Sequence, residues 1–193
     1  MVTNTMTNIL LAGVGGQGIL LASEVLSEVL MQAGFDVKKN EIHGMSQRGG
    51  SVVSHVRFGE TVYSPIIPEG ETDILFGFEL METYRYLPLL RKEGRVIANQ
   101  LKIMPPSVAT GLERYPDKLE ERIAQLVPGA RIVDGMRLAL EAGDARTVNT
   151  GLLGVLSTLL EVDEPLWRQA LEKMVPAKAL AANLKAFELG RDS

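Results

Sequence analysis

Residues 8–18, NILLAGVGGQG, set an apolar run directly before Gly13, Gly15, Gly16 and Gly18, and a helical pattern follows at once. Ile9 to Gly13 carry no polar side chain, the signature of a buried parallel strand, and Ile19, Leu20, Ala22, Val25, Leu26, Val29 and Leu30 recur at helical spacing. A strand that turns through glycines into a helix opens a doubly wound α/β unit. Gly13 suits the tight turn, Gly15 lets the backbone approach an anion, and Gly18 lets the helix pack while its free N–H groups face a ligand. Glycines here also serve packing alone, so on this stretch both readings stand.

At 193 residues, 46% hydrophobic, with a net charge of -4, the chain predicts one α/β domain over residues 1–193, its C-terminal part from about residue 149 helical. No basic surplus argues for nucleic acid, and no apolar run is long enough for a membrane span. The opening MVTNTMT lacks the regions of a secretory signal, so a cytoplasmic location is expected. The absence of cysteine excludes disulfides, a thiol nucleophile, a Cys-ligated zinc and an iron–sulfur cluster held by this chain alone. With only His43 and His55 a multi-histidine metal site is excluded too, and no metal site is expected. His55 lies in the alternating VVSHVRF and reads as a sheet-face residue, while His43 borders a second glycine-rich loop.

Beyond the first helix, Gly34 reads as a C-cap and Asp36 to His43 as a second strand. A dinucleotide-binding fold would continue into a crossover helix, but HGMSQRGG is followed by SVVSHVRFGETVYS, which predicts a β-hairpin turning at Gly59 and Glu60. Strands follow at Asp73 to Phe78, Arg95 to Asn99 and Ala130 to Asp134. Helices are predicted over Glu79 to Leu90, Asp117 to Leu126, Met136 to Ala142, Asn149 to Leu160, Glu164 to Met174 and Lys178 to Glu188. The expected architecture is a three-layer α/β/α sandwich with a mainly parallel Rossmann-like sheet and a β-hairpin inserted after the second strand.

The loop after that strand carries Ser46, Gln47 and Arg48 before Gly49 and Gly50. Arg48 offers planar donors matched to phosphate or carboxylate, Ser46 and Gln47 add neutral donors, and the glycines permit close contact. The competing reading is a tight turn with Arg48 paired to Glu41 or Glu79.

GVGGQG, then GMSQRGGSVVSHVRFG, YSPIIPEG, DILFGFE and METYR, resembles the gamma-subunit family of 2-oxoacid:ferredoxin oxidoreductases, and within it the small subunits of the indolepyruvate enzymes. The likeness runs from the first strand to the helix with Asn149 and Gly154; SQRGG with its SVVSHVR continuation is its specific part. It implies an assembly that oxidatively decarboxylates an arylpyruvate, passes the acyl group to coenzyme A and reduces ferredoxin. Thiamine diphosphate and iron–sulfur clusters are then carried by a larger partner subunit, and a homodimer of the isolated small subunit is compatible with that. The resemblance further implies that backbone groups of Gly13, Gly15, Gly16, Gln17, Gly18, Gly49 and Gly50 hold a phosphate of coenzyme A or close the partner interface. It sets Ser46, Gln47 and Arg48 toward substrate or cofactor as the residues through which this chain serves catalysis.

Glu79, Glu82 and Arg85 share one helix face at i,i+3 spacing, which suits solvated or interface ion pairs better than acid–base work. Glu79 also follows a strand, at the end where open α/β sheets bind ligands, and Asn99 and Asn149 are placed near the same crevice, Asn149 with the alternative of a helix cap. Trp167 reads as packing or subunit contact, and YSPIIPEG as a partner strip or a buried loop. Three rivals stay open: a nicotinamide dehydrogenase with Glu41 on the ribose, an adenylating enzyme, and a regulatory or scaffold protein of this fold.

Overall fold

The computed structural model describes residues 6–43, 50–112 and 114–193. Its strands are β1 Thr7–Val14, β2 Asp36–His43, β3 Ser51–Gly59, β4 Thr72–Gly77, β5 Leu90–Asn99 and β6 Arg131–Val133. The helices are α1 Ile19–Gln32, α2 Leu80–Tyr86, α3 Pro106–Ala109, α4 Leu119–Leu126, α5 Gly135–Ala142, α6 Val148–Ser157, α7 Glu164–Met174 and α8 Ala177–Arg191.

The strands form one mixed sheet in the order β2-β3-β1-β4-β5-β6. β1, β4, β5 and β6 are parallel neighbours, whereas β3 runs antiparallel to both β1 and β2. β1 is central, and its side chains divide between two cores as strand alternation requires. Ile9 and Leu11 pack with α1, α6, α7 and α8 on one face, Leu10 and Ala12 with Leu80 of α2 and Leu119 and Ile123 of α4 on the other. This is the expected three-layer sandwich, and the reversal of cover between α1 and α2 sets the topological switch point between β1 and β4.

The hairpin expected to turn at Gly59 and Glu60 does not form; the hairpin is β2 with β3, in register from Asp36 opposite Gly59 to His43 opposite Val52. Residues 60–71 form no strand because Pro65, Pro68 and Gly70 interrupt them and the side chains of buried Arg57 and His55 and half-buried Asp36 claim their backbone groups. Arg57 Nη1 donates to the Ser64 and Ile66 carbonyls at 2.9 and 2.8 Å, His55 Nδ1 accepts the Ile67 N–H at 3.2 Å, and Asp36 accepts the Val62 N–H at 2.8 Å. YSPIIPEG is thus a strapped loop, and its first residue, Tyr63, is exposed.

Trp167 is fully buried and stacks on Phe187 at 5.7 Å between ring centroids, so it serves packing. Beside it α6 and α8 pack backbone to backbone: a Cβ on Gly154 would lie 2.1 Å from the Phe187 carbonyl oxygen.

Candidate functional site

The C-terminal ends of β1 and β4 define the crevice, and the glycine loop that leaves β1 is a tight turn. The Gln17 N–H donates to the Val14 carbonyl at 3.1 Å, with Gly16 in the third position at φ +99°. A positive φ there is the type II requirement that glycine meets without strain. Gly18, at φ +74°, is the N-cap of α1, and no side chain caps that helix. A Cβ on Gly13 would lie within 2.7–2.9 Å of Gln17, Ile19 and Phe78, so this glycine is required by close approach.

Three amide side chains then stitch the crevice together. Gln17 Oε1 accepts the Val14 N–H at 2.7 Å while its Nε2 donates to the Phe78 carbonyl at 2.8 Å, spanning β1 and the end of β4. Asn99 donates to the same carbonyl at 3.2 Å and accepts the Gly135 N–H at 3.1 Å. Asn149 Nδ2 donates to the Gln17 and Gly18 carbonyls at 2.6 and 3.2 Å. Asn99 and Asn149 therefore do meet at the crevice, and the Asn149 side chain binds the glycine loop.

The Gly15 N–H donates to the Gly50 carbonyl at 2.8 Å, so the first glycine loop is joined to the start of β3. Two of the four amides expected to face an anion, those of Gly15 and Gln17, are engaged inside the chain; those of Gly16 and Gly18 have no partner among the described residues, beside a first turn of α1 that none of those residues caps. Among the described residues a Cβ built on Gly16 meets nothing within 4 Å. Ser46, Gln47, Arg48 and Gly49 lie outside the described residues.

On the other side of β4, Glu79 is fully buried rather than solvated. Its carboxylate accepts the N–H of Glu82 at 2.8 Å, the N–H of Ile103 at 3.2 Å and the hydroxyl of Tyr115. Burial first, and the bond to Glu79 second, raise the Tyr115 pKa well above the usual phenol value, so Tyr115 stays a neutral donor. Glu82, also buried, accepts from Ser51 Oγ at 2.6 Å and pairs with Arg85 at 3.3 Å, while Ser51 and Tyr86 hydroxyls are 3.1 Å apart. The i,i+3 spacing thus yields one ion pair, and Glu79 works as helix cap and three-way acceptor. Ser51, Tyr86 and Tyr115 were not found from sequence because their partners are 31–36 residues away.

Glu41, the ribose partner of the dehydrogenase rival, lies 3.5 Å from Lys39 and 3.3 Å from Ser23 Oγ, and antiparallel β3 stands where that fold needs a crossover helix. Among the described residues no group of three or more acidic or histidine side chains is placed to hold a metal, and no helix is long and apolar enough to cross a membrane.

The sequence model of the pyruvate ferredoxin/flavodoxin oxidoreductase family matches residues 8–193. An indolepyruvate oxidoreductase subunit, IorB, of Thermococcus kodakarensis is 41% identical over 188 residues, covering 95% of this chain and 93% of its own length. In structure the chain is similar to the gamma subunit of a keto/oxoacid ferredoxin oxidoreductase from Geobacter sulfurreducens, with a TM-score of 0.72 at 21% identity and 96% of each chain covered. It is also similar to 30% of a chain of the 2-oxoglutarate:ferredoxin oxidoreductase from Magnetococcus marinus, solved with 2-oxoglutarate, coenzyme A and succinyl-CoA bound (TM-score 0.73, 20% identity, 97% of this chain).

Proposed function

Because the chain belongs to the pyruvate ferredoxin/flavodoxin oxidoreductase family, as a small gamma-type subunit of a 2-oxoacid:ferredoxin oxidoreductase, we propose that its assembly acts on an arylpyruvate of the indolepyruvate type. The 2-oxoacid and coenzyme A become acyl-CoA and carbon dioxide, and the two electrons released pass to ferredoxin. The observation that carries the substrate class is the 41% identity over nearly the whole length of an indolepyruvate oxidoreductase subunit.

The residues of this chain supply binding and orientation. Thiamine diphosphate, on the partner subunit in this reading, supplies the carbon nucleophile. The amides of Gly16 and Gly18 and the first turn of α1, none of them capped by a side chain among the described residues, fit a phosphate of coenzyme A, since a helix N-terminus carries partial positive charge. Gln17, Asn99 and Asn149 fill the switch point from within, so that phosphate lies over the crevice, between chains. Gly13 keeps Gln17 in place, Gly50 leads into β3, and Ser46, Gln47 and Arg48 are assigned to substrate or cofactor binding on the strength of their donor chemistry.

Exposed apolar side chains at this end support a partner there. Leu20 and Leu21 begin α1, Ile42 ends β2 and Met136 begins α5, all 44–50% exposed. Large exposed apolar groups gathered at one end mark an association surface.

The test is viologen reduction by this chain purified with its candidate large subunit, given coenzyme A and a panel of 2-oxoacids. Activity that needs both chains and prefers indolepyruvate or phenylpyruvate is expected. An Arg48→Ala chain is expected to assemble normally and turn over at least tenfold more slowly, the loss of about one charge-assisted hydrogen bond. Turnover by the large subunit alone would overturn the reading; near-normal turnover of Arg48→Ala would remove Arg48 from the site.

A further inference from the structure

At the N-terminal end of the sheet, away from the crevice, lies a cavity of about 610 Å³. Small organic ligands usually occupy sites of about 300–1,000 Å³. Irregular pairing builds this one. β4 and β5 pair at Thr72 with Leu90 and again at Ile74 with Arg95, so Arg91 to Gly94 stand opposite Asp73 alone and bulge from the ladder. Gly94 permits this: a Cβ there would lie 2.6 Å from the Leu90 side chain.

The wall beneath the bulge is apolar, from Leu87, Pro88, Leu90, Leu126 and Val127, and Leu126 is left 62% exposed. The rim is cationic. Arg91 is already neutralised by Asp73 at 2.6 Å, but among the described residues Lys92 and Arg95 have no side-chain hydrogen bond or ion pair. Glu93 offsets one of these charges and leaves the rim positive on a chain whose net charge is -4. Arg95 also lines a second cavity of about 360 Å³ beside Phe35, Phe58 and Leu160.

We propose that the larger cavity binds a small amphipathic monocarboxylate: an apolar body against the Leu87, Leu90 and Leu126 wall, its carboxylate on Arg95 and Lys92. The planar guanidinium matches a carboxylate. Inorganic anions would gain nothing from the wall, and a neutral hydrocarbon would leave the two cations unpaired. The site needs neither a partner subunit nor turnover, so it stands whether or not the chain acts on arylpyruvates.

Calorimetric titration of the full chain with phenylacetate, phenylacetamide and acetate tests this. Phenylacetate is expected to bind saturably at one site, with the amide and acetate at least tenfold weaker. Arg95→Ala and, independently, Lys92→Ala are expected to weaken phenylacetate binding at least tenfold with unchanged melting temperature, since both side chains are exposed. Absence of saturable binding, equal binding of acetate, or unchanged affinity in both variants would overturn the assignment. So would binding to the free chain that disappears in the complex with the large subunit, which would give the cavity to the subunit interface.

Discussion

Gln17 uses both ends of its side-chain amide within the chain, on the Val14 N–H and the Phe78 carbonyl. That bridge lies across the point where ligands of open α/β sheets normally enter, so the loop offers an anion its outer amides only. Gln17→Ala leaves the Val14 N–H without this acceptor, at a cost of about 1–3 kcal/mol. Each kcal/mol lowers the melting temperature of a chain this size by about 2–4 °C. Gln17→Glu restores an acceptor for Val14 but sets a carboxylate oxygen against the Phe78 carbonyl, so it rescues only part of the loss. Thermal melts of the two variants check this order; equal stability of Gln17→Ala and the parent would show the bridge to be idle. The glycine positions were legible in the sequence because strand, turn and helix are local, and so was the placing of Asn149 near the crevice by the start of its helix, but not its partners there, which are 131 and 132 residues away. The Gln17 side chain was not, because its second partner is 61 residues away.

The element that sequence patterning misplaced is the partner of β3. SVVSHVRFG alternates well enough to be a strand, yet periodicity cannot say which neighbour it pairs with, and FGETVYS imitates a hairpin turn. What decides the matter is the buried pair Arg57 and His55, whose hydrogen bonds strap residues 60–71 down as a loop. Burial, with the Arg57 charge as a smaller contribution, lowers the His55 pKa below the usual imidazole value of 6.5. The strap is therefore fully formed above pH 6.5 and is lost as pH falls through the lowered folded pKa, because a protonated Nδ1 can no longer accept the Ile67 N–H. Hydrogen exchange should show the Ile67 amide losing protection as the pH is lowered below 6.5, while His55→Asn, with a neutral acceptor, holds its protection across the same range. A parent profile as flat as that of His55→Asn would mean that the strap does not titrate.

Across the whole molecule, the two ends of the sheet differ in what they leave uncovered. At the C-terminal end are the outer amides of the glycine loop and the exposed Leu20, Leu21, Ile42 and Met136; Ser23 Oγ, 3.3 Å from Glu41 on β2, shows that the start of α1 and the end of β2 lie side by side. If this end docks the large subunit, its apolar groups are needed for assembly and not for folding. α1 provides a clean separation of the two, since no acidic residue stands in its first turn and no side chain caps it. Glutamates at Leu20 and Leu21 would meet the positive end of the helix dipole and add about 0.3–1 kcal/mol each to the stability of the free chain. In the interface the same two carboxylates would be buried without partners, a heavy cost to association. The Leu20→Glu/Leu21→Glu chain is thus expected to melt at or above the parent temperature and yet fail to co-purify with the large subunit. Assembly is read directly by co-elution rather than by turnover, because acids at this helix end would also repel a phosphate and slow catalysis for that reason alone. Normal co-elution of the double variant would move the docking face away from the start of α1, whereas a lowered melting temperature would show that these leucines belong to the fold.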